Sequence, residues 1–136
     1  MLILKEEFKK AIIKQCLEEF PNEACGILAG KETRVEKVYL MTNIDKSPQS
    51  YIMDPKEQLK VQKEVRALGL VMVGIYHSHT ASEARPSARD IDEAFYTDVF
   101  HVIVSLKDKF NPQIHAFKIV EGKIKEEEVK SEVDYD

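Results

Sequence analysis

Two histidines one residue apart, followed at short range by a serine and an aspartate, are the residues of this chain best placed for chemistry: His77, His79, Ser87 and Asp90. The run before them, residues 70–76, is almost continuously apolar and has the length and residue types of a buried strand. Strand side chains alternate between faces, so His77 and His79 point one way and Ser78 the other. Two imidazoles held side by side on a stiff strand can share one metal ion. A polar loop follows, and Pro86-Ser87-Ala88-Arg89-Asp90 opens a helix. Asp90 then sits in the first turn, where its carboxylate can be brought back over the strand end. Two histidines and one carboxylate make three protein ligands, the usual count for a zinc ion that keeps a position open for water. Ser87 and Asp90 alone also fit Ser-x-x-Asp, a helix start in which Ser87 caps and Asp90 faces the positive helix end. The His-x-His pair at the exit of a buried strand is what favours a metal site. Zinc lowers the pKa of a bound water to about 7, which leaves a proton carrier and an oxyanion donor to be supplied. Glu23 offers a carboxylate for the first task, although spacing alone does not bring it to the metal, and Ser87 offers a hydroxyl for the second.

The elements that must position these groups read as an α/β domain, a mixed sheet flanked by helices. Residues 2–4 form a short strand. Phe8, Ile12, Cys16 and Phe20 then recur every four residues, with Ile13 and Leu17 beside them, as one stripe of a helix that Pro21-Asn22 stops. Residues 23–30 are rich in small side chains, and Gly26 inside a strand suggests close approach by another backbone. Residues 35–43 make the return strand of a hairpin around Lys31-Glu32-Thr33. After a polar connection, Asp54-Pro55-Lys56-Glu57 is a helix start, with Asp54 as cap and Glu57 three residues later. Leu59, Val61, Val65 and Leu68 give that helix a buried side, and Gly69 ends it. Ile91, Ala94 and Phe95 form the packing face of the helix after Ser87. Residues 101–106 are a further buried strand, residues 114–120 and 123–129 a closing hairpin, and the acidic residues from about 130 a frayed tail. The whole reads as one domain, residues 1–136, without repeat or linker.

Composition narrows the function classes. The 136 residues are 43% hydrophobic, enough for a real core. Net charge is −4 with no basic cluster, so the electrostatic footprint of a nucleic-acid binder is missing. No apolar run approaches a membrane span, and Met1-Leu2-Ile3-Leu4-Lys5-Glu6-Glu7 does not read as a secretion signal, which points to the cytoplasm. Cys16 and Cys25 make no disulfide framework and lack metal-ligand spacing. Lys and Glu, 16 each, far outnumber Arg (4) and Asp (8), a balance compatible with a thermophilic source.

His77-Ser78-His79, then seven residues, Ser87, two residues and Asp90, resembles the His-x-His-x7-Ser-x2-Asp signature of the JAMM (MPN+) zinc metalloproteases at every defining position. Pro21-Asn22-Glu23-Ala24-Cys25-Gly26-Ile27-Leu28 is similar to the segment that carries that family's catalytic glutamate. The resemblance implies a single-domain MPN (JAB) fold, with a curved mixed sheet flanked by helices and a cytidine-deaminase-like layout. The His-x-Glu with Pro-Cys-x-x-Cys pattern of the zinc nucleoside deaminases themselves is absent. It also implies that His77, His79 and Asp90 hold one catalytic zinc with a bound water, that Glu23 is the general base, and that Ser87 hydrogen-bonds the oxyanion. Family members cleave after the C-terminal Gly-Gly of ubiquitin or ubiquitin-like proteins. The expected partners are therefore a ubiquitin-like protein, of the small archaeal modifier type, and its lysine conjugates.

Residues 26–30 and the loop 80–85 are the candidate groove for an extended tail bound as an added strand. Where many relatives have Pro after the second histidine, this chain has Thr80, and it has little room for the long insertions with which eukaryotic deubiquitinases grip a second ubiquitin. Two other functions compete with isopeptide cleavage: trimming of a sulfur-carrier C-terminus, and a non-catalytic MPN scaffold. A Cys25 nucleophile lacks a positioned histidine base that is not better explained as a ligand. His101 and His115 stand singly in strands and read as structural or exposed. The oligomeric state is open, a homodimer included.

Overall fold

The computed structural model describes residues 1–94 and 98–133. Among them the chain runs β1 (Leu2–Lys5), α1 (Glu6–Glu19), β2 (Cys25–Lys31), β3 (Arg34–Met41), α2 (Pro55–Ala67), β4 (Val71–His79), α3 (Ala88–Asp92), β5 (Phe100–Ser105), β6 (Gln113–Val120), β7 (Lys123–Glu127) and β8 (Val129–Glu132). All eight strands join one mixed sheet in the order β7-β6-β5-β4-β2-β3-β1-β8. β4 runs parallel to β5, and β1 runs parallel to both β3 and β8. Among the described residues no helix is long and apolar enough to cross a membrane.

Only Glu128 separates β7 from β8, yet these are the opposite borders of the sheet. The sheet meets that condition by curling until its borders adjoin, with β7 antiparallel to β6 and β8 parallel to β1. The expected hairpin 123–129 therefore breaks at Glu128, and residues read as the start of a frayed tail are a paired strand. Its alternation was hidden because Lys130 and Ser131 are both exposed, while Val129 packs against the core and Glu132 pairs with Arg34. Asp134, Tyr135 and Asp136 of that expected tail lie outside the described residues.

Each face of the sheet has its own core. Leu4, Ile12, Cys16, Leu28, Tyr76 and Val104 pack together beneath α1, and Cys25, Ile27, Met41, Met53, Val61 and Val65 beneath α2. The helices touch the sheet along narrower lines than their apolar patterns suggest. Leu17 is 40% exposed, and Leu59 and Leu68 are 54% and 52% exposed. In α2, Val61 and Val65 are one turn apart and make the whole buried row. Asp54 caps α2 through the Lys56 N–H (2.9 Å). Glu57 closes no capping box; it accepts from the Thr42 N–H and hydroxyl, each at 2.7 Å, fastening α2 to the end of β3. In α3, Ile91 and the following Ala94 are only half-buried, and Phe95 lies outside the described residues.

Gly26 does not admit a neighbouring backbone, as expected, but a ring. A Cβ there would lie 2.1 Å from Cε2 of Tyr76. The Tyr76 hydroxyl donates to Gln15 Oε1 (2.5 Å), and Gln15 Nε2 donates to the carbonyls of Cys25 (3.0 Å) and Met41 (3.3 Å). Gln15 is thus a buried polar residue on a helix face read as apolar. Gly26→Ala is expected to push Tyr76 off this network and lower stability by about 1–3 kcal/mol, the usual overpacking penalty. Urea unfolding measures it, and an unchanged midpoint would show that the ring can yield freely.

Candidate metal centre

β4 delivers both histidines from the interior of the sheet. His77 lies opposite Cys25 of β2 and Ile103 of β5, and His79 lies opposite Ser105. Both rings are buried, and their Nε2 atoms are 3.1 Å apart. α3 brings Asp90 onto them, with Oδ1 3.2 Å from His77 Nε2 and Oδ2 3.0 Å from His79 Nε2. The helix-start reading of Ser-x-x-Asp holds, and it leaves the Asp90 carboxylate against both histidines. Ser87 Oγ accepts from the Asp90 N–H (3.1 Å), and Asp90 Oδ2 accepts from the Ser87 N–H (2.8 Å), a complete capping box that also aims the carboxylate.

The donor set fits a small divalent cation. Ligands about 2.0–2.1 Å from a tetrahedral zinc lie about 3.3 Å from one another, close to the spacings found. His79 Nδ1 is 2.9 Å from the carbonyl of Glu83, which can only accept, so Nδ1 carries a proton and Nε2 is the ring nitrogen left to the cluster. Burial pushes the Asp90 carboxyl up, but bonds from His77, His79 and the Ser87 amide outweigh it and hold the group well below the usual carboxylate range. Burial likewise opposes a charged His79, and its bonds to Asp90 and Glu83 overcome that and raise it. Tyr51 stacks on His77 with ring centroids 4.8 Å apart, a support that a polar connecting segment gave no sign of.

Glu23 stands just before β2 and is 6% exposed. The pairing of Cys25 with His77 carries it to the ligand end of β4. Glu23, His79, Ser87, Pro48, Gln49 and Thr80 line one groove of about 360 Å³. Burial pushes the Glu23 carboxyl up to about 7, against a smaller opposing effect of His79, so it can both take and release a proton near neutral pH. The four residues singled out from spacing and the one from resemblance therefore meet. Cys25 faces the α2 core, and burial pushes its thiol up to about 12, which removes it as a nucleophile. His101 lines a small cavity of about 60 Å³ beside His77 and Asp90, and His115 pairs with Glu126 at 2.9 Å on the surface.

The expected docking strip on β2 is corrected. β2 lies between β3 and β4 and is paired on both sides from Cys25 to Gly30, so no edge remains there for an added strand. The groove is walled instead by Pro48-Gln49 and residues 80–82, and Thr80 Oγ1 ties the two walls by donating to the Pro48 carbonyl (2.9 Å). On the oxyanion role that the family resemblance implies for Ser87, Ser87→Ala is expected to slow turnover by about 10²–10³-fold, with metal content nearly unchanged. Metal analysis beside steady-state rates checks it, and an unaltered rate would confine Ser87 to capping.

The sequence model described as prokaryotic homologs of the JAB domain matches residues 5–120. This chain belongs to the JAB-domain family. It is 39% identical over 131 residues to the CysO-cysteine peptidase of Mycobacterium tuberculosis, covering 95% of this chain and 90% of that protein. It is 37% identical over 113 residues to the desampylase of Pyrococcus furiosus, covering 83% and 80%. Among solved structures, protein DSY2949 from Desulfitobacterium hafniense superposes with a TM-score of 0.90 at 37% identity, covering 98% of this chain and 94% of that one. AF2198, a JAB1/MPN domain protein from Archaeoglobus fulgidus, shares the fold at 19% identity with a TM-score of 0.64, covering 96% and 98%. The JAB domain here is the curved, nearly closed sheet with its few helices, and the His77–His79–Asp90 cluster lies within the matched region.

Proposed function

We propose that this JAB-domain protein is a zinc-dependent isopeptidase that removes ubiquitin-like proteins from lysines by cutting after their C-terminal Gly-Gly. The observation that carries the reading is that His79, a member of the His77–His79–Asp90 cluster, shares one groove with Ser87 and with a buried carboxylate, Glu23, that burial raises toward neutral pH. The names of the relatives, a desampylase and a CysO-cysteine peptidase, support the substrate class. A second reading, trimming of the C-terminus of a sulfur-carrier protein, is favoured by the 39% identity to the CysO-cysteine peptidase across 95% of the chain. We place either reaction in the cytoplasm, where the free thiols of Cys16 and Cys25 remain reduced.

His77, His79 and Asp90 would hold the zinc ion, which when bound would supply a water of pKa about 7 and polarise the scissile carbonyl. Glu23 takes a proton from the attacking water and returns it to the leaving amine. The Ser87 hydroxyl, which accepts from the Asp90 N–H, keeps its own proton to donate to the carbonyl oxygen as charge builds there. Glu83 holds the His79 ring through its Nδ1–H, and the Thr80–Pro48 bond holds the groove walls.

The test uses one Gly-Gly-terminated carrier, joined in one fusion to a lysine ε-amine and in the other to a linear peptide. Cleavage is expected with zinc present, none after chelation, and no loss after thiol alkylation. A preference for the linear fusion selects the second reading. A zinc-loaded protein that binds the fusions stably and cuts neither would make this domain a scaffold.

A further inference from the structure

We infer that Asn43 and Ser78 are positioning residues that clamp the peptide group between Glu23 and Ala24, and so aim the Glu23 carboxylate at the metal centre. The peptide unit is planar and moves as one body. Its carbonyl accepts from Asn43 Nδ2 at 2.9 Å, and its N–H donates to Ser78 Oγ at 2.8 Å. Bonds at both ends of one plane fix its rotation, which sets ψ of Glu23 and hence the direction of its Cα–Cβ bond. The neighbouring groups are secured as well. The Glu23 N–H donates to the Ser47 carbonyl (2.9 Å), and the Ser78 N–H donates to the Ala24 carbonyl (3.0 Å).

Neither clamp has freedom to swing. Asn43 is buried and uses all four of its bonds: Oδ1 accepts from the N–H groups of Asp45 and Ile52, both at 3.0 Å, and Nδ2 donates to Ser50 O (3.1 Å) as well as to Glu23. That pattern assigns the amide's orientation. Ser78 is fully buried on the core side of β4, where an unpaired hydroxyl would be destabilising. It also stands between the two histidine ligands in sequence. The peptide group that follows the base and the two histidine ligands are thus tied to one strand.

The activity arm of the test rests on the peptidase reading; the exchange arm does not. Ser78→Ala is expected to bind zinc as the wild type does and to lose about 10²-fold in kcat, the effect of a misplacement near 1 Å, with KM little changed. Ser78→Thr, which keeps the hydroxyl, should retain most of the rate. In a Glu23→Gln background Ser78→Ala should change the residual rate by less than about twofold, because no base remains to be aimed. Asn43→Asp, which keeps the acceptor and loses the donor, should resemble Ser78→Ala. In zinc-free protein the Ala24 amide should exchange about tenfold faster or more in Ser78→Ala, with the Leu28 amide unaltered. Wild-type kcat in Ser78→Ala, an equal loss in both backgrounds, or unchanged Ala24 exchange would each overturn the clamp. A zinc-loaded wild type that cuts no fusion defeats the peptidase reading instead, and the exchange result then decides the clamp alone.

Discussion

Glu23→Gln is expected to fold, take up zinc and turn over about 10²–10⁴-fold more slowly than the wild type, the range that a positioned acid–base group contributes. The substitution keeps the shape of the side chain and removes its ability to carry a proton. A second consequence concerns stability in chelated protein. Burial raises the Glu23 carboxyl from 4.5 to about 7, so between those values the folded chain holds a proton that the unfolded chain has released. Stability from this group is therefore greatest at low pH and declines as pH rises through that window, by at most about 3 kcal/mol. Glutamine does not titrate, so the decline disappears in the variant. His79 also titrates with a raised pKa and loses stability in the same direction, but it is present in both proteins and largely cancels in their difference. Urea midpoints of both proteins at about pH 5 and about pH 8 measure the effect. Parallel changes in the two would show that the carboxyl is already ionised at the lower pH, and normal turnover in the variant would take Glu23 out of the mechanism.

Asp90→Ala should abolish metal uptake and activity together. The carboxylate is one of three donors and the partner of both imidazoles, at 3.2 and 3.0 Å. Loss of an outer partner of a metal ligand costs about 10–100-fold in affinity, and loss of a ligand should cost more. Zinc should raise the thermal midpoint of the wild type in proportion to the logarithm of its concentration and leave that of Asp90→Ala unmoved. The Ser87 cap would also lose half its box, so the metal-free variant should be weaker by about 0.5–2 kcal/mol. A variant that still takes up zinc stoichiometrically and cleaves would place the metal elsewhere.

The parts of this site that were legible in the sequence are those whose geometry is set locally. His77 and His79 share a face because strand side chains alternate, and Asp90 returns to them because Ser87 starts a helix three residues earlier. Glu23 was not legible in that way. Its place depends on the pairing of Cys25 with His77, residues far apart in sequence, and only family likeness pointed to it. Asn43 was read only as the end of the strand 35–43, and Tyr51 was given no role, since nothing local shows that one residue makes four buried bonds and the other stacks on a ligand. Ser78 was read only as the residue facing away from the metal, and its partner, the Ala24 amide, stands just before β2, far away in sequence. Leu59 and Leu68 failed for the opposite reason: an apolar stripe wider than the contact line leaves its flanks in water.

The bend at Glu128 has a consequence for how the molecule is made. β1, at the front of the chain, finds one neighbour in β3 within a few tens of residues, but its other neighbour, β8, arrives with the last strand. On the ribosome the first strand therefore stays half-paired until β8 has been made. Joining β1 to β8 is a contact of very high sequence separation, and such contacts slow folding because their closure entropy is met before they stabilise anything.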